Sequence, residues 1–174
     1  MVFSKRMLFL LFVLHGGAAF SADPTTADEA VVSEDRNHFV QKFSRGTNVI
    51  VVDVRTQPFQ RAKHKFKLDE SGNMQAVDGR RPLGTDGGSP EALTSEIVSV
   101  QVSWNGTHRR VAKRFVADCF NTTAIPARVL VSDDFGAVLI TLHGGDGAGA
   151  YGVTWTVSQA GSVTRYVAER PSEF

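Results

Sequence analysis

The strongest constraint in this chain is an alternation of period two. Val98, Val100, Val102 and Trp104 alternate with Ser99, Gln101 and Ser103, and Tyr151, Val153, Trp155 and Val157 alternate with Gly152, Thr154, Thr156 and Ser158. Successive side chains of a strand point to opposite faces, so each run has one apolar and one polar side and reads as a half-buried strand. The first run ends at Asn105-Gly106, the pair best suited to the two positive φ values of a type I′ hairpin. Thr107 to Lys113 is therefore expected to return antiparallel.

Asn48 to Thr56 places Ile50, Val52 and Val54 on one side with Val49 and Val51 on the other, which predicts a central strand. Lys63 to Leu68 alternates three lysines with His64, Phe66 and Leu68. Further strands are expected at Met74–Val77, Ala127–Ser132, Gly136–Leu142 and Ser162–Ala168, joined by turns such as Asp133–Gly136. Seven to eight strands without a βαβ rhythm predict a mainly β fold: an antiparallel sandwich or partly open barrel with one or two short helices. One helix is expected at Arg114–Phe120, where Phe115, Val116, Cys119 and Phe120 share a helical face, and another from the looser spacing of Val31, Val32, Phe39, Val40 and Phe43.

The first residues have the three-part layout of a secretory signal: Lys5 and Arg6, the apolar run Met7–Leu14, then small residues to Ala22 with Ala19-Phe20-Ser21 as the cleavage motif. That apolar run is far short of the ~20 residues that cross a bilayer. The expected organisation is a signal peptide over 1–22, a flexible lead-in over 23–46, a single β domain over 47–170 and a tail over 171–174. The expected location is the periplasm or the exterior, with no transmembrane span after signal removal. Loss of Lys5 and Arg6 leaves 17 of the 19 basic residues against 18 acids, a balance that argues against binding nucleic acid through bulk charge. Cys119, the single cysteine, cannot form an internal disulfide, so the fold must stand on packing. Asn105-Gly106-Thr107 and Asn121-Thr122-Thr123 are formal glycosylation sequons.

The segment His143–Gly152 contains a G-x-G-x-x-G match in Gly147, Gly149 and Gly152, but an alternating strand follows it where dinucleotide binding needs a helix N-terminus. No cofactor is expected. The segment reads either as a hairpin connection needing positive φ or as a loop whose backbone N–H groups hold an anion, with Gly145, Asp146, Gly147, Gly149 and Tyr151 as contacts. Lys63, Lys65 and Lys67 add a basic edge, and with Arg61, Arg109, Arg110, Lys113 and Arg114 they suggest a cationic strip. Lysines at this spacing also keep a strand edge from sticking to other sheets. The histidines lack metal-ligand spacing, so no metal is expected. For covalent chemistry there is no G-x-S-x-G elbow, and Asp118 beside Cys119 opposes thiolate formation.

These features lead to an exported β-scaffold that binds an envelope or extracellular component, with an anionic envelope polymer or a protein as partner. Two alternatives stand beside it: a small exported hydrolase with His143 and Asp146 as general base and orienting acid, and a purely structural envelope protein.

Overall fold

The computed structural model describes residues 28–169, so the expected signal peptide and C-terminal tail lie outside the described residues. Eleven strands follow in chain order: β1 (Asp28–Glu34), β2 (His38–Arg45), β3 (Asn48–Pro58), β4 (Phe66–Leu68), β5 (Met74–Val77), β6 (Ser95–Trp104), β7 (Thr107–Arg110), β8 (Arg128–Val131), β9 (Ala137–Gly144), β10 (Tyr151–Ser158) and β11 (Val163–Glu169). They form a five-stranded sheet in the order β1-β2-β3-β6-β7, a four-stranded sheet in the order β11-β10-β9-β8, and the small ribbon β4-β5, all antiparallel. The barrel does not close, and the only helical pieces among the described residues are 3-10 turns.

The alternating runs set the core. Ile50, Val52 and Val54 of β3 lie opposite Trp104, Val102 and Val100 of β6, and all six are buried. On the other sheet Trp155, Val153 and Val157 of β10 lie opposite Ile140, Leu142 and Val138 of β9, again buried. These faces meet in one apolar cluster with Phe39 and Phe43 of β2. Each fully buried large side chain of this kind contributes roughly 1.5–3 kcal/mol. The two indoles keep hydrogen-bond partners inside: Trp104 Nε1 donates to the Phe135 carbonyl (2.8 Å) and Trp155 Nε1 to the Phe115 carbonyl (3.0 Å). Asn105 and Gly106 take φ of 47° and 83°, the signs that a type I′ hairpin requires.

Three local expectations change. The lead-in and weak helix expected over 23–46 give way to β1 and β2 across the described part of that range. Phe39, Gln41 and Phe43 are buried at every second position, and the buried polar Gln41 disguises the strand pattern in the sequence. The helix expected at Arg114–Phe120 is a 3-10 turn at Lys113–Phe115 followed by irregular chain. Asp118 there is held by Arg165 on β11 and its carbonyl accepts the Leu83 N–H (2.7 Å), tertiary ties that outweigh a weak helical preference.

The third change lies in β6. Its pairing with β3 shifts between Arg55 and Thr56, so that Ile97 opposes Thr56 while Ser99 opposes Arg55. Val98 is the extra residue of a β-bulge. Strict alternation puts Val98 inward, yet it is 41% exposed, and Ile97 takes the core position. The same shift of parity turns Glu96 out of the core, opposite Gln57.

Candidate functional site

The chain between β7 and β8 crosses from one sheet to the other, and where it passes the ribbon β4-β5 it leaves a cleft of about 530 Å³. One wall is polar: Gln57 at the end of β3, Glu96 on β6, His64 just before β4 and Asp78 just after β5. The floor is apolar, with Val111, Val116, Ala117, Cys119 and Phe120 from the crossover. Lys63, Arg110 and Lys113 stand at the rim, all exposed.

The polar wall is one connected network centred on His64. Its Nδ1 lies 2.9 Å from Asp78 Oδ2 and its Nε2 2.9 Å from Glu96 Oε2. The remaining carboxylate oxygens are also engaged: the Lys65 backbone N–H donates to Asp78 Oδ1 (2.9 Å) and the Gln57 amide to Glu96 Oε1 (2.7 Å). The imidazole is fixed in place by stacking on Phe59, with centroids 4.8 Å apart, and by the edge of Phe120. The Lys65 N–H and then the His64 ring hold the Asp78 carboxyl below the ordinary carboxylate value. Asp78 and Glu96 approach opposite ring nitrogens, so the three groups do not converge on one point, and no cluster suited to a metal occurs among the described residues.

Cys119 is buried in the floor beside a half-buried ion pair. Arg165 on β11 meets both oxygens of Asp118 at 2.9 and 3.0 Å, and its Nη2 lies 3.5 Å from the Cys119 sulfur. Burial pushes the thiol up to about 12; Arg165 pulls against this shift and Asp118 adds to it. The thiol is therefore protonated at neutral pH and unsuited to attack. It is the only thiol or hydroxyl among the residues lining the cleft.

The residues singled out from the sequence are divided by the fold. Lys63 lines the cleft, whereas Lys65 and Lys67 are exposed and outside its lining. The glycine segment lies elsewhere, as the β9–β10 connection with a 3-10 turn at Gly147–Gly149. Gly145 and Gly147 have φ of 67° and 46°, and a Cβ on Gly145 or Gly149 would come within 3 Å of backbone in the neighbouring chain at Gly84–Asp86. Close packing of two loops thus accounts for Gly145 and Gly149 and a positive φ for Gly147, and the Gly145 and Gly149 N–H groups donate to the carbonyls of Asn121 and Asp146. Tyr151 is buried, and its hydroxyl donates to the Phe120 carbonyl at 2.9 Å. His143 and Asp146 are exposed, the first on β9 and the second at the start of the 3-10 turn, and neither lines the cleft.

What single-residue inspection missed is the meeting of His64, Asp78, Glu96 and Gln57 with Arg110 and Lys113. One signal was present: the alternation in Lys63–Leu68 already put a titratable His64 on the same side as Phe66, and a polar group on an apolar face needs a partner. Asn121 is likewise occupied. Its side chain accepts from the Thr94 N–H (2.7 Å) and donates to the carbonyls of Gly84 (2.7 Å) and Ala92 (2.9 Å), so this sequon is a structural staple in the folded chain. No family model, curated protein or solved structure matches this chain.

Proposed function

We propose that this chain is an exported binding protein whose cleft takes the anionic end of an envelope or extracellular component. The observation that carries the reading is the charge arrangement at the cleft. Lys63, Arg110 and Lys113 come from both basic stretches of the sequence and meet at one rim. The two carboxylates lining the same space are both spent on His64. The rim therefore has cationic charge to offer, above a floor of Val111, Val116 and Phe120 suited to a short apolar stem. Binding is favoured over catalysis because Cys119 is held protonated and both nitrogens of His64 already face carboxylates. Export rests on the layout of residues 1–22.

The test is titration of the purified chain with hexyl sulfate, hexyl phosphate and, as an uncharged control, hexanol, followed by calorimetry and amide chemical shifts. The expected result is saturable, salt-sensitive binding of the two anions with shifts at Val98, Val111 and Lys113. Lys63→Glu or Lys113→Glu should weaken it by roughly fivefold, on the order of 1 kcal/mol, and Lys67→Glu should leave it unchanged. Equal binding of hexanol, or shifts that map to the glycine segment, would remove the cleft from the account.

A further inference from the structure

We infer that anion binding in this cleft is proton-linked through His64, tight while the imidazole is doubly protonated and weaker once it has lost a proton. This rests on the reading of the cleft as an anion site.

With both carboxylates ionised, the geometry is satisfied by two donors from one ring. Asp78 Oδ2 and Glu96 Oε2 each lie 2.9 Å from a ring nitrogen, and the second oxygen of each carboxylate already accepts a hydrogen bond from Lys65 or Gln57. Only imidazolium donates from both nitrogens; the neutral ring has one N–H and one lone pair. Loss of a proton therefore sets a lone pair against a carboxylate oxygen at hydrogen-bond distance. The ring cannot turn away, being only 12% exposed and clasped between Phe59 and Phe120. The contact that gives way is the one to Asp78, whose side chain is 39% exposed, whereas Glu96 is 14% exposed and tied to Gln57.

Charged groups of both signs face the ring. Asp78 after β5 and Glu96 on β6 are the anions, Lys63 precedes the ring in its own segment, and Arg110 and Lys113 face the cleft from β7 and the crossover. Gln57 on β3 and the protonated Cys119 thiol in the floor carry no charge. Deprotonation removes one positive charge from this set and frees a carboxylate beside the rim, and both changes repel an incoming anion. Histidine is the ordinary side chain whose charge changes between about pH 5 and 8, which sets the range to test.

Hexyl sulfate is the probe, because its own charge is constant across that range. In the wild-type chain the expected result is a Kd that rises on the order of fivefold between about pH 5.5 and 8.5, the effect of one unit charge at about 4 Å when screened as in bulk water. The rise should follow the titration of the His64 ring nitrogens seen by ¹⁵N NMR, with the neutral ring as the Nε2–H tautomer. His64→Gln should bind with a Kd that does not change over the same range. Reciprocity supplies a second measurement that needs no variant: saturating hexyl sulfate must shift the His64 titration to higher pH while leaving His38 and His108 in place. A flat wild-type Kd, or an unmoved His64 midpoint, overturns the proton linkage and leaves the anion site standing. Failure of hexyl sulfate to bind at any pH overturns both.

Discussion

Tyr151 stands directly across the β9–β10 pair from Gly144, and its ring fills the space where a side chain at that position would begin. A Cβ built on Gly144 would lie 2.5 Å from the ring edge, well inside contact distance. That same hydroxyl end of the ring is held by the hydrogen bond to the Phe120 carbonyl, so it has nowhere to retreat. Gly144→Ala should therefore destabilise the fold by about 1–3 kcal/mol, the usual cost of overfilling a packed interior. In a Tyr151→Val background the same change should cost much less. Urea midpoints of the four chains check this, and equal costs in both backgrounds would refute the steric account.

The bulge at Val98 carries a prediction about the cleft. Deleting Val98 closes the bulge while leaving Ile97 opposite Thr56 and Glu96 opposite Gln57, so Glu96 keeps its place beside Gln57 and His64. No carboxylate is buried without partners by this change, so the deletion chain should fold and lose little melting temperature. Val98→Thr keeps the extra residue and its exposed position and should leave stability nearly unchanged. A deletion chain that fails to fold would refute Val98 as an extra residue outside the pairing register.

Cys119 should be silent toward thiol reagents. With the thiol pushed up to about 12 and no exposure, labelling at neutral pH should occur only on unfolding and should follow denaturant concentration. The linkage also has a sign. The folded value is raised above the ordinary 9.0, so this contribution to stability is fully present below pH 9 and is lost as pH rises from there toward about 12. Cys119→Ala should flatten the alkaline fall in melting temperature. Rapid labelling of the native chain would contradict the burial.

At low pH the sign reverses. The Asn73 N–H holds the Asp69 carboxyl below its ordinary value, and the Ser132 hydroxyl and Gly136 N–H do the same for Asp134. Stability from such groups is present above the ordinary carboxylate value of 3.8 and is lost as pH falls through the lower folded value. Both side chains are exposed, so the effect is small. An Asp69→Asn, Asp134→Asn chain should lose less melting temperature than the wild type between about pH 4 and 2; parallel losses would dissociate these turns from acid sensitivity.

Strands whose inner residues are all apolar were legible from the sequence: β3, β10 and most of β6 stand where the alternation put them, as does the Asn105-Gly106 hairpin. β2 was hidden by one polar residue, because Gln41 occupies an inward position between Phe39 and Phe43. Glu96 was hidden for a different reason. The parity of a residue beyond a bulge depends on how the opposite strand pairs, and nothing local to Ser95–Trp104 states that. The cleft draws its polar wall from segments running from Gln57 to Glu96 and its floor from 111–120, so its composition is a property of the strand order. The lysines stood out in the sequence by their spacing, yet only Lys63 of the three takes part in the cleft.

The crossover that floors the cleft is held to the far edge of the opposite sheet through Arg165 and Asp118, and to β6 through the bridge between Glu96 and Phe120. Sliding one sheet over the other would drag that floor with it. The cavity is thus a joint of the sandwich, and a molecule wedged there would resist shear between the layers as well as occupy space.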